Sequence, residues 1–190
     1  MNVSPAPTVV ALLLAVLIIG GFDRTLARGG ELPPESKDDK APALKVPEAL
    51  RLRHEAFIAE YTRATKDPGK VGDAARSIEK VAVAHFAKGK EVFKPLGLLP
   101  RLAEGEVPPD HTKAREIAEA LRKNLPQMRR EHRELIAGLK KLAEAAKEES
   151  KPEFAAFAER LILHIREEEE VLYPAVLLVG ETLKPKPDKK

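Results

Sequence analysis

Cysteine and tryptophan are absent from the 190 residues. Without cysteine there is no disulfide, no thiolate metal ligand and no thiol nucleophile. Imidazole and carboxylate are then the expected metal donors, a set suited to iron, manganese or zinc. Aromatic residues make up only 4% of the chain, which together with abundant Ala, Leu, Glu and Lys favours helices over strands. An excess of one charge is also lacking. The 33 basic and 30 acidic residues are closely interleaved, as on exposed helix faces and unlike a nucleic-acid-binding surface. The apolar run Val9–Ile19, extended by Gly20, Gly21 and Phe22, is short for a membrane span. It suits the apolar region of a signal peptide.

Thr25-Leu26-Ala27 offers a small-residue cleavage site, so residues 1–27 read as a signal peptide or an N-terminal membrane anchor. Either places the rest of the chain in the periplasm or outside the cell, tethered or free. No Lys or Arg precedes Val9, whereas Arg24, Arg28, Lys37 and Lys40 follow. By the positive-inside rule that asymmetry supports the alternative, an uncleaved anchor with the domain facing the cytoplasm. Residues 28–46 are rich in Pro and charge and read as a flexible linker. Residues 184–190 (KPKPDKK) read as a solvated tail, which leaves 47–183 as the folded domain.

Helical periodicity runs through that domain. Near Pro47 a first helix begins, with Leu50, His54, Phe57, Ile58 and Tyr61 on one face. Asp67, Pro68 and Gly69 then reverse the chain. A second helix, Val71–Phe93, carries Ile78, Val81, Ala82, His85, Gly89 and Val92. Pro95, Gly97 and Pro100 end it, and a long connection leads to Asp110, a fitting N-cap. The third helix spans Thr112 to about Glu149, with Leu121, Leu125, Met128, His132, Leu135, Ile136, Leu139 and Ala143 inward. Pro126 should kink or divide it. The fourth opens at Pro152 and turns Phe157, Leu161, Ile165 and Leu172 inward, with Pro174 making its last turns irregular. The expectation is an all-α protein, an antiparallel up-down-up-down four-helix bundle behind an apolar N-terminal segment and a linker.

A lone histidine on an apolar face is ordinarily a core residue bonded to a neighbour. Here each helix carries one. His54 and His85 lie about 12 and 17 residues from the turn near Asp67, and His164 and His132 the same distances from the turn near Lys151. If both turns lie at one end of the bundle, all four rings fall within a band of roughly 8 Å. Within the run of four glutamates, Glu167 and Glu170 turn outward, while Glu168 falls inside the apolar arc beside His164. A carboxylate aimed into a core is costly unless paired, protonated or bound to a cation. Four clustered imidazoles and an inward acid therefore point to a metal site. His111 lies off the stripes and reads as a surface residue. Met128 reads as core filling.

This arrangement, with HFAKGKEVFKPLGLLP at His85–Pro100 and HIREEEEVLYP at His164–Pro174, resembles the hemerythrin-like, or HHE cation-binding, domain. The resemblance implies a four-helix bundle around a non-haem, usually di-iron, site. Its ligands would be His54, His85, His132, His164 and Glu168. It also implies binding or sensing of a small ligand such as dioxygen or nitric oxide, or iron handling. One position departs from the pattern. The family's second-helix glutamate falls at Gly89, and Glu91 lies about 120° away from the His85 direction. Glu169, Glu55 and Glu131 are the nearby acids able to compensate. Losing a bridging ligand favours a single ion or a weakened site. Two other readings stay open: an iron-dependent oxidase or peroxidase, and a metal-free bundle with a structural or protein-interaction role.

Overall fold

Residues 44–108 and 111–185 are described by the computed structural model, and every regular element within them is helical. These are α1 (Glu48–Thr65), α2 (Lys70–Ser77), α3 (Glu79–Val92), α4 (Leu99–Ala103), α5 (Thr112–Glu148), α6 (Pro152–Glu167) and α7 (Tyr173–Thr182). A 3-10 turn, Lys94–Leu98, joins α3 to α4, and a π-helical turn, Glu168–Leu172, carries α6 into α7. The signal peptide or anchor, the linker as far as residue 43, Asp110 and the tail from residue 186 lie outside the described residues. Among the described residues no helix is long and apolar enough to cross a membrane.

Side-chain burial follows the periodic faces. On α1, Leu50, His54, Phe57 and Tyr61 are buried, and Ile58 is half-buried. α5 is the spine, packing against α2, α3, α6 and α7. One apolar cluster gathers Phe57, Phe86, Leu139, Leu142, Phe157 and Ile165, and a second gathers Phe93, Leu121, Met128, Tyr173 and Val176. Each fully buried large side chain, Phe157 for example, contributes roughly 1.5–3 kcal/mol.

Both tight turns lie at one end of the molecule and are bonded to each other. Gly69 takes φ +114°, a conformation costly for residues with a Cβ, and lets the chain turn into α2. Glu149, from the turn after α5, accepts hydrogen bonds from the backbone N–H of Lys70 (2.8 Å) and Val71 (3.4 Å). Lys151 Nζ bridges Asp67 Oδ1 (2.6 Å) and Glu149 Oε2 (2.9 Å).

Four local expectations change. The helix expected over Val71–Phe93 divides at Ile78, where φ is −113° and ψ 9°. Ser77 Oγ donates to the Ala74 carbonyl at 2.7 Å, competing with the helix, and Ile78 enters the space above Gly138 of α5. A Cβ at Gly138 would lie 2.2 Å from Ile78 Cγ2, so the two helices meet there only because that residue is glycine. Pro126 does not divide α5; it is exposed, so the carbonyl it leaves without a partner faces water. The long connection after Phe93 holds the 3-10 turn and α4, with Leu96 and Leu98 buried, and Leu44 packs beside Leu98. Finally, Leu172 is only half-buried, and Tyr173 takes the inward position expected for it.

Candidate metal centre

The two apolar clusters meet at a polar knot. α1, α3, α5 and α6 each bring one imidazole: His54, His85, His132 and His164 are at most 6% exposed. Aromatic rings from both clusters enclose them, with Phe57 and Phe86 on one side and Phe93 and Tyr173 on the other. At the centre Glu168 is fully buried. The expected five residues are thus all brought together, and His111 is not among them. It is half-buried at the start of α5, its Nδ1 2.9 Å from the Pro108 carbonyl oxygen.

Glu168 divides the knot into two trios. Its Oε1 faces Nε2 of His54 (3.4 Å) and of His164 (3.3 Å), and its Oε2 faces Nε2 of His85 (3.5 Å) and of His132 (3.2 Å). In each trio the ligand-type atoms lie within 4.8 Å of one another, close enough for one cation. The Nε2 atoms of His54 and His164 are 2.8 Å apart.

Proton positions follow from the outer partners. His132 Nδ1 lies 2.8 Å from Glu169 Oε1, and His164 Nδ1 lies 3.2 Å from Glu167 Oε2. A carboxylate only accepts, so both Nδ1 atoms carry a hydrogen, and in the neutral form of each ring that leaves an Nε2 lone pair facing inward. Burial pushes His85 down to about 4, against the raising pull of Glu168, so it is neutral near pH 7. Lone pairs therefore outnumber protons at the centre. Glu168 Oε1 and His85 Nδ1 are buried with no hydrogen-bond partner. A cation answers the crowding of acceptors, and imidazole with carboxylate is a fitting donor set for iron.

The other acids sort themselves by geometry. Glu169 orients His132. Glu131 is tied to Lys88 Nζ (2.6 and 2.7 Å) and to Gln127 (2.9 Å), and exposed Glu55 pairs with Arg51. At Gly89 the His54 ring fills the space: a Cβ there would meet His54 Cε1 at 3.0 Å and Nδ1 at 3.3 Å. The sequence pattern missed Tyr173. Its hydroxyl oxygen is 3.1 Å from His132 Nε2 and 3.3 Å from Glu168 Oε2. The irregular turn before Pro174 was the available signal, because a π turn shifts the inward face by one residue. A cleft of about 590 Å³ between α1 and α3, bordered by Arg51, Ile58, Lys90 and Lys94, reaches His54 from the surface.

Compared with profiles of known protein families, residues 46–176 match the hemerythrin HHE cation-binding domain. No curated protein and no solved structure matches the chain.

Proposed function

The chain belongs to the hemerythrin HHE cation-binding family, and from that premise we propose that the buried knot is a non-haem iron centre that binds a small ligand. In this reading the helices form the up-down-up-down four-helix arrangement, with α1, α2–α3, α5 and α6–α7 as its legs. His54, His164 and Glu168 Oε1 would hold one ion, and His85, His132 and Glu168 Oε2 would hold a second in a two-iron centre. Iron, when bound, would supply a coordination position for dioxygen, nitric oxide or a similar ligand. The protein supplies the rest. Glu167 and Glu169 fix the tautomers of His164 and His132, the aromatic rings keep the chamber dry, and the cleft beside His54 gives small molecules a way in.

The observation that carries this reading is the convergence of four imidazoles on one buried carboxylate, each oxygen facing two rings. A binding or sensing role is favoured over an oxidase because carboxylate-rich di-iron catalysts place more acids at the ions, whereas here Glu131 and Glu55 are engaged elsewhere. The apolar run Val9–Ile19 we take as the segment that exports or anchors the domain.

Elemental analysis of the freshly purified full chain tests the reading. Iron is expected, His164→Ala should remove most of it, and azide should alter the visible absorption of the loaded protein. A chain that carries no metal, and whose melting temperature iron does not raise, would be a metal-free structural bundle instead.

A further inference from the structure

We propose that Tyr173 is a metal ligand: its phenolate oxygen completes the half-site of His85, His132 and Glu168 Oε2. This rests on the reading of the knot as an iron centre. Tyr173 is 2% exposed, and its oxygen lies as close to His132 Nε2 (3.1 Å) and Glu168 Oε2 (3.3 Å) as those two atoms lie to each other (3.2 Å). It therefore shares their focus.

The ring cannot easily turn away. It is stacked between Phe93 (centroids 5.7 Å apart, planes at 14°) and His132 (5.6 Å, 15°). Its hydroxyl has one proton and two acceptors, because His132 Nδ1 already carries a hydrogen toward Glu169 and leaves Nε2 as a lone pair. The backbone is also shaped for this placement. On a regular helix the residue eight after His164, Leu172, would return to the ligand face, and the π turn brings Tyr173 there instead. π turns are rare and gather at functional sites.

Charge supplies the need. Two close cations require anionic donors, and at Gly89, where the family pattern has a second carboxylate, the space belongs to His54. A phenolate beside Glu168 Oε2 restores one negative donor. On binding, the iron–oxygen bond forms as the O–H bond breaks, and the proton leaves to solvent.

The chain has only two tyrosines, which makes the test sharp. Tyr61 lies elsewhere, donating to the Ala75 carbonyl at 2.7 Å. The full-length protein, loaded from a ferric chelate, is measured for iron content and by visible absorption and resonance Raman scattering. The expected result is a phenolate-to-iron(III) charge-transfer band with tyrosinate ring modes, retained in Tyr61→Phe and lost in Tyr173→Phe. Persistence in Tyr61→Phe assigns the band to Tyr173 even if Tyr173→Phe fails to fold. Bound iron without phenolate modes, or modes that disappear in Tyr61→Phe, overturns the ligand assignment and leaves the iron centre standing. No bound iron in the wild type overturns both.

Discussion

The ends of α3 and of α6 begin alike and finish differently. Each has a buried histidine facing Glu168, and each has a proline ten residues later, Pro95 after His85 and Pro174 after His164. Four residues beyond the histidine, α3 has Gly89, and the π turn that follows α6 has Glu168. Around those positions α3 carries Lys88 and Lys90, whereas the end of α6 and the π turn carry Glu167 and Glu169. α3 stays α-helical to Val92 and delivers Phe93; the other end opens into a π turn and delivers Tyr173. The two rings then stack on each other. One helix end supplies carboxylate and phenol oxygens and the acids that orient imidazoles. Its counterpart supplies room for the His54 ring and an apolar wall. At Gly89 the His54 ring stands in the space that a longer side chain would need.

Glu168→Gln should break the comparison most completely. It leaves both helix ends without a central carboxylate, and bound metal should fall to near zero by elemental analysis. The same variant, metal-free, should melt no lower than the metal-free wild type, because an ion buried without full compensation is removed. Retained metal would mean that the imidazoles alone suffice. Gly89→Glu, which makes the two ends more alike in sequence, should not add a ligand for free. Its side chain must displace His54, and overpacking of this kind costs about 1–3 kcal/mol. Chemical denaturation of the metal-free protein measures that cost; an unchanged midpoint would show that His54 yields readily.

Smaller effects separate the outer residues. Glu169→Gln keeps an acceptor for His132 Nδ1 and removes its charge, so metal affinity should fall by about 10–100-fold, the usual consequence of losing such a partner. Competition with a chelator measures it. The charge-preserving Glu169→Asp should fall between wild type and Gln if the interaction is electrostatic. Gly89→Ala should change stability least. It gains roughly 0.5–1 kcal/mol of helix propensity, and it sets that against a Cβ only 3.0 Å from His54 Cε1. Net stability should move by less than about 1 kcal/mol in either direction. Metal held by His54 and His164 should loosen more than metal held by His85 and His132, which metal titration can resolve.

Much of this was legible along the chain, and for one reason. The helical repeat fixes which residues share a face, so Leu50, His54, Phe57 and Tyr61 on α1, and Met128, His132, Leu135 and Leu139 on α5, could be placed inward from spacing alone. Equal distances from two turns were enough to put His54, His85, His132 and His164 at a common depth. Spacing also singled out Glu168 from its three acidic neighbours. Tertiary structure decided what the repeat does not encode. A π turn altered the repeat itself, exchanging Leu172 for Tyr173. Ile78, where the second helix divides, packs into the room that Gly138 leaves across the interface. The space at Gly89 went to a ring from another helix, and Glu169, outside the inward stripe, reached His132. Periodicity is a property of one helix, whereas these outcomes depend on which atoms of a second helix stand opposite.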